Sequence, residues 1–331
     1  MVRSNPIILT HLGESVPPYL RDCIKQIRLW NSLANIYLIL DDCQKSQEFF
    51  TSLEDEYEVI LVFRSMLEPT PEHTYFVNNF NCDKAFRKGF WLHVKERFFL
   101  IHELMMKKEL TNVISMEYDV LLYINIDPLI KELKDSKFMR MVRDNNQRGY
   151  PAFLFIPNAE SMQGFNKFLI TFIHSPFGDM ESLAVYADCS GAIKYFPVIT
   201  DERNESIQDR KSKQGHTSEN PFYLSDEFRR FNMLFDSASV GQWVGGIDSR
   251  NTGGKKVAKY ENESALYNMN EMSFEWKKNP ENFLWQPILD GYVLATIHVH
   301  SKALKSFMSD RPDYPKDDYD VVEVNKGLLP N

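Results

Sequence analysis

The sequence predicts an α/β fold, a mixed central sheet with helices on both faces in a single domain, and three observations carry that expectation. Strand-like and helix-like patterns alternate through the first third of the chain, acidic residues stand where strands end, and 331 residues at 43% hydrophobic content supply an ample core. The first strand is "NPIILTHL", followed by "PPYLRDCIKQIRLWN", with Leu20, Ile24 and Ile27 at helical spacing behind prolines. Next come the strand "ANIYLILDD", the polar helix "QKSQEFFTSLEDEY" and the strand "EVILVFRS". The long helix "WLHVKERFFLIHELMMKK" places Val94, Phe98, Ile101 and Met105 on one stripe, and "NVISMEYDVLLY" is the fourth strand. This alternation calls for parallel pairing, with a ligand crevice at the carboxyl ends of the strands.

Beyond it, "KFMRMVRD", "PAFLFIPN" and "IKYFPVI" are strand-like, while "AESMQGFNKFLITFIH" and "DMESLAVYAD" are helical. Residues 201–222 are polar and aperiodic, which predicts a mobile loop, and the charged, proline-bearing stretch 309–331 predicts a surface tail. The expected division is therefore a domain over 1–308, with halves 1–123 and 124–308, followed by the tail.

Composition excludes several classes. A net charge of -8 gives no overall attraction to nucleic acid or anionic lipid. The run "PIIL" is too short for a signal segment or membrane span, and the four cysteines form no C-x-x-C pair. A reduced, cytoplasmic chain without an integral membrane segment follows as the expectation, and the glycosylation-type triplets at Asn204 and Asn262 carry little weight in it. No G-x-G-x-x-G and no G-x-x-x-x-G-K-[ST] occurs, so the usual dinucleotide and triphosphate cradles are absent.

The chemistry-bearing residues lie at strand ends. Glu117 and Asp119 share one side of a strand and repel unless a cation lies between them; the bland reading is a strand that has reached water. His11 follows the first strand, and Asp41 and Asp42 follow the second, placed to accept hydrogen bonds from a ribose or to cap a helix. In "FDSASVGQWVGGIDSRNTGG", Gly245 and Gly246 allow a tight turn and close backbone approach to a ligand, while Gln242 and Asp248 can bind hydroxyls. In "YVLATIHVHSK", Thr296, His298, His300 and Lys302 fall on one side of a strand, an arrangement suited to a metal and an anion together. Arg97 stands beside the buried stripe of its helix, within reach of a phosphate or an acid. Asp179 enters a helix as a cap or as a base aimed into the crevice. Trp243, Trp276 and Trp285 either stack on sugars or fill core.

Taken together, the acid-x-Asp motif "EYD" closing the fourth strand, the arginine-bearing helix before it, "GQWVGG" and "HVHSK" resemble a GT-A fold glycosyltransferase over roughly residues 5–305. The resemblance implies a Rossmann-type sheet, a nucleotide-binding half over 1–123 and an acceptor-binding half over 124–308, a nucleotide-sugar donor, UDP-linked, a glycan or other hydroxyl acceptor, and Mn²⁺ or Mg²⁺. It implies Asp119 as principal metal ligand with Glu117 and with His298 or His300, Lys302 on the diphosphate, and His11 with Asp41 or Asp42 in the nucleotide pocket. "EYD" departs from Asp-x-Asp in its first acid. The alternatives are a metal-dependent sugar nucleotidyltransferase, which expects a glycine-rich basic loop where "THLGESVPPYL" stands, and a non-catalytic sugar-binding module.

Overall fold

A computed structural model describes residues 4–83, 86–207, 210–215, 221–251, 253 and 259–313. The first half runs β1 (Ser4–His11), α1 (Tyr19–Trp30), β2 (Ala34–Leu40), α2 (Glu48–Tyr57), β3 (Ile60–Phe63), α3 (Pro71–Asn79), α4 (Phe90–Lys108), β4 (Val113–Met116) and β5 (Val120–Leu122). Then follow α5 (Ile126–Leu133), β6 (Met139–Asn145), β7 (Arg148–Ile156), α6 (Ala159–Thr171), α7 (Asp179–Ser190), β8 (Ile193–Tyr195), α8 (Asp201–Ser206), α9 (Phe228–Phe231) and α10 (Ser239–Gly245). The last described strands are β9 (Phe274–Lys278), β10 (Trp285–Leu289), β11 (Tyr292–Val293) and β12 (Thr296–His298).

Seven strands form the central sheet in the order β3-β2-β1-β4-β7-β6-β8. Neighbouring strands pair in parallel except at β7, which runs against both β4 and β6, so the sheet is mixed as expected. Its central strands β1, β2 and β4 carry apolar runs because both faces are covered, whereas β6 buries Arg140, Arg143, Asp144 and Asn145. In β1 and β2, Ile7, Leu9, Ile36, Leu38 and Leu40 enter one core with α1 and α2. The alternate residues Ile8, Tyr37 and Ile39 enter a second core with α4 and α6, through Phe98, Phe99 and Phe165.

Periodicity does not reveal the short helices α3, α5, α8 and α9. In α3, the Thr70 hydroxyl accepts from His73 N and Pro71 takes the first turn; in α5, Asn125 accepts from Asp127 N. Both are too short for a long apolar stripe to announce them. The β9–β10 hairpin was missed as well.

The expected loop 201–222 needs correcting at its start: Thr200 caps α8, its hydroxyl accepting from Arg203 N, so residues 201–206 are helical. Residues 208–209 and 216–220 of that stretch lie outside the described residues. The boundary at 308 also moves. Ser309 is buried, its hydroxyl receiving Gln26 Nε2 at 2.7 Å and Trp30 Nε1 at 2.9 Å, so the packed body continues past it, while 314–331 lie outside the described residues. No helix among the described residues is long and apolar enough to cross a membrane.

Candidate functional site

A cleft of about 440 Å³ opens at the carboxyl ends of β1 and β4, where the sheet order turns from β1 to β4. The acid pair stands at its floor. β4 ends at Met116 and β5 begins at Val120, so Glu117, Tyr118 and Asp119 form the turn between two strands instead of a strand face, with Val120 N bonding back to Glu117 O at 3.2 Å. β5 then leaves the main sheet and pairs antiparallel with β12, Val120 opposite His298. That ladder, continued by Val299 N to Asp119 O at 2.8 Å, carries a residue from late in the chain to the motif.

The result is a cluster in which one ligand atom each from Glu117, Asp119 and His298 lies within 4.8 Å of the others. His298 Nε2 is 3.2 Å from Asp119 Oδ2 and 3.7 Å from Glu117 Oε2. The Lys302 ammonium caps Asp119, reached through a turn in which Lys302 itself has φ +68°. Burial alone would raise the Asp119 carboxyl, but Lys302 and His298 hold it well below the usual carboxylate range. Arg97 bridges outward from Glu117 Oε1 to Asp179 Oδ2, 2.5 Å to each. A continuous chain of charges therefore runs Lys302, Asp119, His298, Glu117, Arg97, Asp179.

The donor set fits a divalent cation. Two carboxylates and one imidazole converge, a set that would suit Mg²⁺ or Mn²⁺, the imidazole favouring Mn²⁺. One feature departs from the usual arrangement: His298 Nδ1 is buried with no hydrogen-bond partner, whereas metal-binding histidines generally donate that second N–H.

Of the two histidines proposed for the metal, the structure brings only His298 to the acids. β12 stops at His298, and His300 turns so that its Nδ1 accepts from Asp248 N at 3.1 Å. That bond leaves the proton on Nε2, so His300 faces the cleft as a neutral donor, its pKa pushed down to about 4 by burial and neighbouring cations. His298 is itself held in place by Asp236, a buried carboxylate that accepts from His298 N, Val240 N and Gly241 N, all at 2.9 Å. No motif pointed to Asp236.

The other expected residues separate. His11 lines the cleft, its Nε2 bonded to Ser15 O at 2.5 Å and its Nδ1 to the Tyr118 hydroxyl at 3.2 Å, beside the tilted pair Tyr19 and Tyr118. Asp41 and Asp42 do not line it: Asp41 Oδ2 accepts from Gly13 N at 2.6 Å, fixing the β1 loop, while half-buried Asp42 binds Ser65 and Lys45. Gln242 does, with its Oε1 buried and unpartnered. Gly245 and Gly246 do not contact the cleft. Gly245 packs where a Cβ would meet Phe307 and Ser301 at 3.2 and 3.3 Å, and Gly246 ends α10 at φ +70°. The close approach belongs to Gly241, where a Cβ would stand 1.8 Å from the His298 carbonyl oxygen. Asp179 is the first residue of α7 behind Gly178, so it is not the cap; burial pushes its carboxyl up, and Arg97 only partly offsets this. Asp248 is bound by Arg250 at 2.5 Å and held low by it against the effect of burial. Trp243, Trp276 and Trp285 pack against or within the core and line no part of the cleft. Arg148, unmarked by any sequence motif, does line it.

No protein-family model matches the chain, and no curated protein sequence matches it. Among solved structures its fold is similar to PaToxG glycosyltransferase, at 12% identity and TM-score 0.40 over 57% of this chain and 70% of that one. It is also similar to the galactosyltransferase LgtC in complex with donor and acceptor sugar analogs, at 10% identity and TM-score 0.42 over 66% and 81%. Core-mannan synthase A from Aspergillus fumigatus, in its Mn/GDP form, overlaps at 11% identity and TM-score 0.39 over 59% and 73%. Likenesses this partial leave the chemistry to the residues of the cleft.

Proposed function

We propose that the protein is a glycosyltransferase that moves a sugar from a nucleotide-sugar donor to a hydroxyl acceptor. The observation that carries this reading is the convergence of Glu117, Asp119, His298 and Lys302 on one point of a cleft large enough for a small ligand. Glu117, Asp119 and His298 would hold Mn²⁺ or Mg²⁺, which would supply charge stabilisation to the departing diphosphate. Lys302, paired with Asp119, contributes a positive charge beside the same developing anion. Arg97 clamps Glu117 and Asp179 at a fixed separation, orienting the first and screening the second. Both candidate bases are ion-paired, Asp179 with Arg97 and Asp248 with Arg250, but Asp179 stays the less acidic and is the base an inverting transfer would use. His11 and the rings of Tyr19 and Tyr118 form the wall for the nucleotide, which we assign as UDP-linked. The four cysteines are free, which supports a cytoplasmic setting.

The test is thermal stabilisation by nucleotides with and without Mn²⁺, followed by product analysis with a panel of nucleotide-sugars. Free nucleoside diphosphate at about 100 times its Kd should add roughly 2.7 kcal/mol, and chelator should remove that gain. Failure of every nucleotide to stabilise in the presence of Mn²⁺ would overturn the reading. Release of pyrophosphate from a triphosphate would replace it with nucleotidyl transfer.

A further inference from the structure

The cations of the cleft are unequally satisfied. Arg97 lies between Glu117 and Asp179, Lys302 on Asp119, and Arg250 on Asp248. Arg148, at the start of β7, has no carboxylate in ion-pairing distance among the described residues. Its guanidinium stands over the Tyr150 ring at 5.7 Å and donates a hydrogen bond to the Met180 thioether, Nη2 to Sδ at 3.5 Å, while its Nε is buried without a hydrogen-bond partner. Asp144 and Asp179 feel its charge without touching it, and Asp144 instead receives Tyr150, Asn262 and Ser264. Arg87, the other cleft cation lacking an acid, stands exposed at the rim and donates to Asn251, so water can serve it.

A half-buried guanidinium with five donors and one soft sulfur acceptor is poorly satisfied by the protein alone. The group that satisfies such a fork best is a planar carboxylate or a phosphate, taken bidentately. Its place in the cleft argues against the leaving diphosphate. The metal donors and Lys302 lie at one end of the charge chain, and Arg148 lies beside α7 at the other, next to Met180, the residue after Asp179.

We propose that Arg148 binds an anionic group of a sugar substrate, a carboxylate or phosphate distinct from the leaving diphosphate, so that the cleft selects an acidic sugar. This rests on the glycosyltransferase reading and names the substrate class of its site. The chemistry is shared by an acidic donor sugar and an acidic acceptor, and two arms of one experiment separate them.

Binding is measured with Mn²⁺ present. The donor arm compares UDP, UDP-glucose and UDP-glucuronic acid; the acceptor arm compares glucose, glucuronate and glucose 6-phosphate on the UDP-loaded protein. The wild type should favour the acidic member of one arm by about tenfold or more, as expected for a charge-assisted fork. Arg148→Gln should erase that preference and leave UDP binding within about twofold, and Arg148→Lys should restore only part of it because the fork is lost. Absence of any acidic preference in the wild type overturns the proposal without needing a variant, and so does an equal loss of UDP binding in Arg148→Gln. If no nucleotide binds but unloaded protein still prefers glucuronate or glucose 6-phosphate to glucose in an Arg148-dependent way, the transferase reading falls and the anionic-sugar site stands.

Discussion

Lys302 reaches Asp119 only because its own backbone turns left-handed, an uncommon conformation for a side-chain-bearing residue that marks a place where structure is held against local preference. With the metal donors it should act late in the reaction, so Lys302→Ala is expected to lower kcat by roughly 10² while sparing acceptor KM, read from steady-state kinetics. Asp119→Asn should abolish Mn²⁺-dependent stabilisation with the fold retained, as followed by circular dichroism. The two histidines should part company: His298→Ala weakens Mn²⁺ binding by roughly tenfold or more, as loss of a ligand should exceed loss of its supporting partner, whereas His300→Ala leaves it intact, measured by direct Mn²⁺ titration. At this scale the sequence announced residue types well. Carboxylates and histidines at alternate positions are visible as a pattern, but which histidine faces the acids depends on where β12 ends, and a tertiary ladder decides that. Arg148 left no signal, because a single arginine at a strand start looks like any strand end.

Among elements, α10 and β12 carry the site between them. The Asp236 carboxylate ties the first turn of α10 to the His298 amide, and Gly241 lets helix and strand touch. Gly241→Ala would drive a methyl group into backbone that cannot yield as a side chain would, and a loss of about 1–3 kcal/mol or more is expected, read from denaturant unfolding. Gly245→Ala, meeting ring and hydroxyl atoms at 3.2 and 3.3 Å, should be the milder of the two. The sequence showed that glycines mattered near Gln242 but pointed to the adjacent pair, since paired glycines look like a turn and an isolated one inside a helix gives no reason for itself. The central strands were legible because burial on both faces makes unbroken apolar runs. The short helices α3 and α5 were not, although the threonine and proline opening α3 form a recognisable start.

For the molecule as a whole, a second charge network ties the cleft to its outer helices. Asp41 fixes Gly13 on the β1 loop, Arg64 reaches both Asp41 and Glu96, and buried His73 lies between Glu96 at 3.1 Å and Glu103 at 2.8 Å. Burial alone would lower the His73 pKa, but hydrogen bonds to Glu103 and Glu96 raise it to about 8, above its ordinary 6.5. Its contribution to stability is therefore complete below about pH 6.5 and lost as pH rises through about 8. Glu96, held down to about 2 from 4.5 by His73, His93 and Arg64 against burial, contributes fully above about pH 4.5 and loses its contribution as pH falls toward 2. The wild-type Tm should consequently fall between pH 6 and 9, and His73→Gln should flatten that fall, as scanning calorimetry at the two pH values will show. None of this could be read from the chain, where His73, Glu96 and Glu103 carry no motif and meet only because α3 packs on α4.

The β5–β12 ladder also sets an order of events. Val120 pairs with His298, so the acid motif emerges during synthesis long before the strand that completes it, and the loop joining them must close before the site exists. A growing chain can lay down β1 to β4 and much of the sheet while Glu117 and Asp119 still face solvent without their histidine and lysine. Completion of the acid–histidine cluster is thus deferred until β12 docks, and under the proposed function the ability to bind Mn²⁺ would report that docking.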